Sequence, residues 1–415
     1  MVERLLTRAG ARGWPTLSAP LRIGILYLAA RAVTTGFLIL AASLAGPGSR
    51  FGPNATIGSF LLGWDAQWYW LIAVSGYPTE LPLTESGVVS ENQWAFMPVY
   101  PYLARIVGLP FEALTWTGAP GWGVGAVFVS LVAGYLACLV LYRMLRMRID
   151  ATAATWAALF FAAGPLAALF HVGYAESLFL LWLFLSLWLV QQRRFGWLYL
   201  LIPLMGFTRP GVLAFALFLG LYGIWRWLRR RHDALPRRQV VHIVALGLLA
   251  VVVGFSWQVF AAIATGRADA YLATELAWRR TAVSAEGFIP FGGFLEGTAM
   301  WFGRIWNLGE ATGYVVLAAS VLAIAALLLF EPHVRRLGVE TRLWTASYLV
   351  YLLAVFFPQS SIFRLLVPVS PLWGAIALPR STAYRVAVLG ACLVGQWWWI
   401  YNMYALANTA YWTIP

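Results

Sequence analysis

Long apolar runs, separated by short polar segments, dominate the pattern of this chain. About 20 consecutive apolar residues cross the hydrocarbon core of a bilayer. Runs of this length fall at 22–45, 120–142, 151–169, 240–262, 312–330 and 385–406. Shorter runs fall at 175–191, 195–208, 211–227, 343–358 and 363–379. The pattern predicts an all-α polytopic membrane protein with about 11 transmembrane helices, built as a single domain over 1–415.

Two long segments between the runs, 46–119 and 263–311, are rich in Trp, Gly and Pro and carry acidic residues. Residues at three- and four-residue spacing within 60–76 predict a helix with one shared face, formed by Asp65, Tyr69, Ala73 and Gly76. Two further short helices are predicted at the membrane interface, over 96–112 and 269–280. In the second of these, Tyr271, Glu275 and Arg279 share a face.

Composition excludes a soluble domain, since 61% of the 415 residues are hydrophobic, 11% are charged and the mean hydropathy is +0.74. All 29 basic residues are arginine, and the net charge is +13. Their distribution follows membrane topology rather than a nucleic-acid-binding patch. With the N-terminus in the cytoplasm, the cluster at 226–238 and most other arginines lie inside, so 46–119 and 263–311 lie outside.

The basic N-terminus followed by the run 22–45 resembles a signal peptide. An uncleaved first helix is the better interpretation, because the run exceeds the ~7–15 residues of a signal-peptide core. Cys138 and Cys392 lie alone in apolar runs, and the four histidines are scattered. The sequence therefore predicts no metal site and no cofactor.

An acidic side chain among aromatic residues stands out in GWDAQWYWLIAVSGY, residues 63–77, where Asp65 follows the first apolar run. A carboxylate at a membrane boundary is costly to desolvate, which indicates a function. The alternatives are a helix N-cap or a structural partner of Arg31. A second acidic residue, Glu91, begins ENQWAFMPVYP, and either contacts the acceptor or caps the helix that follows.

These two motifs resemble the PIG-V family of glycosyltransferases in the GT-C superfamily, whose pattern runs W-D-A, an aromatic, I-A, two residues, G-Y, then E, A-F-[FM]-P and P. The matching positions are Trp64, Asp65, Ala66, Tyr69, Ile72, Ala73, Gly76, Tyr77, Glu91, Ala95, Phe96, Met97, Pro98 and Pro101. YAESLF at 174–179 is similar to the family's Y-[ST]-E-S-L-F, and TRPG at 208–211 is a weaker match from which Arg209-Pro210 departs. The resemblance covers most of 60–215.

The resemblance implies a GT-C-type fold whose outer loops contain interfacial helices. It also implies an enzyme that moves mannose from a polyprenyl-phosphate-linked donor, with inversion, to an acceptor hydroxyl outside the cytosol. Carried over by position, the base is Asp65. Independently, an inverting transfer needs one general base, typically worth ~10²–10⁴-fold. A carboxylate beside Trp64 and Trp68 has a raised pKa, and arginines stabilise a phosphate leaving group without a metal.

Other polar residues near the outer span ends are assigned provisional roles. Arg364, which resembles an arginine of a late GT-C span, is expected to bind the donor phosphate with Arg209 and His171. Glu91 and Tyr69 are expected near the acceptor, a glycolipid or glycan. Glu176 is expected to pair structurally with Arg209, and 269–280 either anchors at the interface or binds donor. A bacterial plasma-membrane location follows, with the site on the extracytoplasmic side.

A transporter or flippase of lipid-linked sugars is the alternative of a different class. Such a protein has paired broken helices and charges at the bilayer midplane. Here only Arg31 is predicted within a span, which favours the enzyme. A transferase of another sugar, such as glucose or arabinose, also remains open.

Overall fold

The computed structural model describes residues 17–112, 121–280 and 287–407. Within these ranges the chain is helical, and its only β pairing is an isolated bridge between Leu83 and Val89. The prediction of an all-α membrane protein is confirmed. Four of the described helices are long and apolar enough to cross a membrane: α1 (Ala19–Ser43), α5 (Gly121–Arg146), α10 (Arg237–Thr265) and α13 (Glu310–Phe330).

The remaining helices of the described ranges are shorter. The N-terminal half contains α2 (Ile57–Leu61), α3 (Asp65–Ser75), α4 (Val99–Gly108), α6 (Ala151–Ala162), α7 (Glu176–Gln191) and α8 (Leu198–Gly206). The C-terminal half contains α9 (Val212–Leu228), α11 (Ala270–Arg280), α12 (Gly292–Thr298), α14 (Pro332–Arg336), α15 (Val339–Val355), α16 (Ile362–Leu365), α17 (Trp373–Ile376) and α18 (Thr382–Ile400). Both short helices predicted in the outer segments are present, as α4 and α11.

Three predicted continuous helices are interrupted, and each break has a local cause. The run 151–169 divides into α6 and a 3₁₀ segment, Ala167–Phe170, because Pro165 cannot continue an α-helix. The run 363–379 becomes α16, a 3₁₀ segment with two prolines and α17. The helix predicted over 60–76 breaks at Gly63, where a Cβ atom would lie 2.5 Å from the Phe51 ring.

The centre of the bundle is α5, which packs against α7, α4 and α6. Glycines let α4 and α5 approach closely, since a Cβ atom on Gly125 would lie 2.1 Å from the Ala104 carbonyl oxygen. The Tyr100 hydroxyl of α4 donates to the Ala126 carbonyl of α5 at 2.9 Å. This contact fixes α4 against α5.

Arg31, buried in α1, stabilises the interruption of the helix after α6. Its guanidinium donates to the carbonyl oxygens of Ala162 and Ala167, which the interrupted helix leaves without partners. It also lies 5.3 Å from the centroid of the Phe170 ring. Arg31 therefore supports the segment leading into α7, and the alternative in which it pairs with Asp65 is wrong, because Asp65 pairs with Arg364.

Candidate active site

Asp65 is the first residue of α3, and a strained turn presents it. The preceding residue, Trp64, has φ 53° and ψ −124°, a backbone conformation that residues other than glycine rarely adopt. The Trp64 indole donates to the Met403 carbonyl at 3.1 Å, and the Arg50 guanidinium lies 4.4 Å from the indole centroid. Asp65 thus occupies the first turn of a helix, where the backbone dipole favours a negative charge.

Arg364 of α16 is the direct partner of Asp65. Its Nη1 lies 2.6 Å from Asp65 Oδ2, and the two side chains are 12% and 22% exposed. The Arg364 guanidinium also lies 5.6 Å from the centroid of the Tyr174 ring. Burial raises the pKa of Asp65; Arg364 opposes this shift and Glu176 adds to it, so the pKa stays above its ordinary value.

Glu176, the first residue of α7, joins Arg364 to a second arginine. Its Oε1 lies 2.5 Å from Arg209 Nη1 and 3.4 Å from Arg364 Nε, and its side chain is only 4% exposed. The predicted pairing of Glu176 with Arg209 is confirmed. We call Asp65, Glu176, Arg209 and Arg364 the charged cluster. Its two carboxylates and two guanidiniums cancel in formal charge.

Tyr69 lies one helical turn after Asp65 and is buried. Its ring meets those of Phe96 and Tyr100 edge-on, with centroids 5.2 Å and 5.1 Å away. Burial raises the pKa of the Tyr69 phenol, and the negative charges of Glu176 and Asp65 raise it further. Tyr69 is therefore within electrostatic reach of the charged cluster.

His171 and Glu91 make their contacts elsewhere. The His171 Nδ1 lies 3.2 Å from Arg31 Nη1, and its Nε2 lies 3.1 Å from Thr35 Oγ1. Both ring nitrogens thus face protein groups. Burial raises the pKa of Glu91, partly offset by Arg50, and Glu91 forms no ion pair within the described ranges. Its suggested capping role is wrong, because Pro98 precedes α4 and no side chain caps that helix.

Sequence reasoning missed two parts of the site: the contact of Glu176 with Arg364 and the Tyr174 ring beside that guanidinium. The available signal was the motif YAESLF, in which Tyr174 lies two residues before Glu176 and this acidic residue begins an apolar run. Within the described ranges, no group of three His, Cys, Asp or Glu side chains is arranged to hold a metal ion. The chemistry that the site can offer is that of carboxylates, guanidiniums and phenols.

An apolar cavity of about 480 Å³ lies between α6, the segment around α16 and α17, and α18. Phe363 and Leu366 line it, on either side of Arg364 in sequence. Ser370 is the one hydroxyl-bearing residue among its lining side chains. The cavity therefore contributes apolar surface rather than reacting groups.

The apolar helices and the charged cluster lie in a chain that matches a known protein family. A family model described as mannosyltransferase (PIG-V) matches residues 54–282, more than half of the chain. The protein accordingly belongs to this mannosyltransferase family. The matched segment includes Asp65, Glu176 and Arg209, whereas Arg364 lies beyond it. No curated protein sequence matches the chain.

Solved structures that the chain resembles include two of an oligosaccharyltransferase from Archaeoglobus fulgidus. One is a crystal structure with Zn and sulfate, at 14% identity and a TM-score of 0.46, covering 91% of this chain and 53% of the other. The second is AglB in complex with an inhibitory peptide and a dolichol-phosphate, at 15% identity and a TM-score of 0.44, covering 91% and 55%. This chain spans about half the length of those proteins.

Proposed function

We propose that this protein transfers a mannosyl residue, with inversion, from a polyprenyl-phosphate-linked donor to a hydroxyl of a glycolipid or glycan. The reaction takes place on the extracytoplasmic side of a bacterial plasma membrane, and Asp65 is the general base. The observation that carries the proposal is the ion pair between Asp65 and Arg364, in a protein whose family is mannosyltransferase.

In the proposed reaction the acceptor hydroxyl donates its proton to the Asp65 carboxylate. The acceptor oxygen forms a bond to the anomeric carbon while the bond from that carbon to the phosphate oxygen breaks on the opposite face. The products are the mannosylated acceptor and the polyprenyl phosphate, and the proton rests on Asp65. The raised pKa of Asp65 supports this role, because a more basic carboxylate accepts a proton more readily.

The two arginines of the charged cluster are proposed to bind the donor phosphate. A guanidinium has five N–H groups, so Arg364 can keep a bond to Asp65 while donating others to a phosphate. Stabilising charge on the leaving oxygen lowers the barrier to its departure. Glu176 holds Arg209 and Arg364 together, which supports a binding site for one phosphate between them. His171 is a weaker candidate for phosphate binding, because its ring nitrogens contact Arg31 and Thr35.

Transport of a lipid-linked sugar finds less support. The broken segment after α6 and the buried Arg31 are features that transporters also have. Here, however, the Arg31 guanidinium bonds the carbonyl groups that the break exposes, so its N–H groups serve the protein's own backbone.

The test is mannose transfer by the purified protein in lipid nanodiscs, with polyprenyl-phosphate [³H]mannose as donor and a bacterial membrane glycolipid extract as acceptor. We expect transfer by the wild type and a loss of about 10²-fold or more in Asp65→Asn, in kcat and kcat/KM together. Asp269→Asn, at an exposed position of the outer segments, is the matched control. Normal transfer by folded Asp65→Asn would exclude Asp65 as the base. Mass spectrometry of the labelled product identifies the acceptor.

A further inference from the structure

Three aromatic side chains from separate segments meet beside α3. The Trp68 and Phe96 rings are nearly parallel, at 13°, with centroids 6.0 Å apart. The Trp278 indole of α11 meets both rings edge-on, at 5.6 Å and 5.9 Å. All three side chains are half-buried, so part of their surface remains uncovered. We call these three residues the aromatic layer.

The aromatic layer begins next to the proposed base. Trp68 and Tyr69 follow Asp65 by three and four residues on α3, so both lie near the Asp65 face of the helix, within about 6 Å of it along the helix axis. The Tyr69 ring also contacts Phe96, which belongs to the layer. A flat ligand resting on the layer would thus place its edge within reach of the Asp65 carboxylate.

A carboxylate that the proposed mechanism does not use lies on the helix that supplies Trp278. Glu275 precedes Trp278 by three residues on α11, and Tyr271 precedes Glu275 by four, so the carboxylate, the phenol and the indole lie along one side of the helix. Glu275 is half-buried and forms no ion pair within the described ranges. Tyr351 of α15 lies within electrostatic range of both Glu275 and Arg209.

We propose that the aromatic layer, together with Glu275 and Tyr271, is the subsite for a neutral sugar ring of the acceptor. A pyranose has an apolar face of C–H groups and a rim of hydroxyls. Aromatic rings cover the first, while a carboxylate and a phenol bond the second. The phosphate of the donor is expected in the charged cluster instead, where two arginines share one carboxylate. The subsite rests on the proposed function, since it is defined by its place beside the base.

The test measures sugar binding apart from transfer. Saturation-transfer NMR is recorded for the protein in nanodiscs with the methyl α-glycosides of mannose, glucose and galactose. We expect at least one glycoside to bind the wild type. Its affinity should fall at least tenfold in Glu275→Gln and in Trp278→Leu. The matched controls Glu85→Gln and Trp306→Leu, both at exposed positions of the outer segments, should bind like the wild type.

Two results would overturn the subsite: no glycoside binds the wild type, or binding survives unchanged in Glu275→Gln. That variant decides the question even where Trp278→Leu yields no folded protein. Release of mannose from polyprenyl-phosphate mannose, with water as acceptor, is measured in parallel for the wild type and for the controls Glu85→Gln and Trp306→Leu, and should be the same in all three. Failure of the proposed function has a different signature, since the wild type would then release no mannose whether or not glycosides bind.

Discussion

Arg364 pairs with Asp65 across 299 residues of sequence, with its Nη1 2.6 Å from Asp65 Oδ2. The pair joins two opposing influences on the same carboxylate. Burial raises the pKa of Asp65, and the guanidinium lowers it. The pKa of Asp65 should therefore change when the charge of Arg364 or Glu176 is removed.

Removing Arg364 should weaken donor binding and also shift the pH dependence of transfer. Arg364→Ala removes the cation that lowers the pKa of Asp65, so the acidic limb of the kcat/KM profile should move to higher pH. Arg364→Lys keeps the charge but loses the bidentate fork that matches a phosphate, and should bind donor with intermediate affinity. Donor KM and pH–rate profiles check both effects. An alanine variant with unchanged donor affinity would make Arg209 the leading phosphate ligand.

Removing the charge of Glu176 should shift the same limb in the opposite direction. The Glu176 carboxylate raises the pKa of Asp65, so in Glu176→Gln the acidic limb should move to lower pH. Breaking this buried pair should also cost about 3 kcal/mol of stability, because two guanidiniums lose their shared counter-charge.

The control for Glu176→Gln is Glu340→Gln. The Glu340 carboxylate is also buried, and it forms an ion pair with Arg148. The control substitution should lower the melting temperature and leave the pH profile unchanged. A pH profile that is identical in Glu176→Gln and the wild type would contradict the coupling between Glu176 and Asp65.

Glu275 should make the stability of the protein depend on pH. Burial raises its pKa to about 7, while the Tyr271 hydrogen bond and Arg279 lower it; Tyr351 is the other titratable group that faces it. A raised carboxyl pKa favours the folded state fully below the ordinary value of 4.5, and this contribution is lost as pH rises through about 7. The melting temperature of the wild type should therefore fall more between pH 5 and pH 8 than that of Glu275→Gln.

Thermal unfolding in nanodiscs at several pH values checks the Glu275 prediction. Glu85→Gln, at an exposed position, should follow the wild type throughout. Parallel curves for the wild type and Glu275→Gln would mean that Glu275 titrates at its ordinary pKa.

The topology prediction is tested by cysteine labelling in a background without Cys138 and Cys392, both of which are buried. An impermeant thiol reagent applied to intact cells should label Glu85→Cys in the outer segment 46–119. It should not label His232→Cys, in the arginine-rich segment between α9 and α10. Both positions are exposed, so the comparison reports sidedness rather than burial. The reverse pattern would place the charged cluster on the cytoplasmic side.

Local chemistry made much of this architecture predictable. Hydrophobic run length identified the four long helices, and residue spacing identified α4 and α11. The pairing of Glu176 with Arg209 was also predictable, because the predicted topology puts both residues at ends of neighbouring apolar runs on the same side of the membrane. Each of these inferences depends on features within one helix or on neighbouring segments.

The contacts that shape the site were not predictable in this way. No periodicity relates Asp65 to Arg364, because their meeting depends on how α3 and α16 pack in the complete bundle. The contacts of Arg31 were not predictable for a related reason. Its true acceptors are the carbonyls of Ala162 and Ala167, which are free only because the helix breaks near Pro165, and run length alone does not reveal that break.

Arg364 lies outside the family-matched segment 54–282, so expressing that segment alone would remove one cation from the charged cluster. A fragment with that segment alone would carry Asp65 and Glu176 with only Arg209 to balance them, leaving one negative charge uncompensated in an apolar surrounding. Co-expressing a second fragment that begins after 282 would return the missing cation only through reassembly of the two halves. The matched segment holds the proposed base, but the charge balance around it requires residues from both sides of position 282.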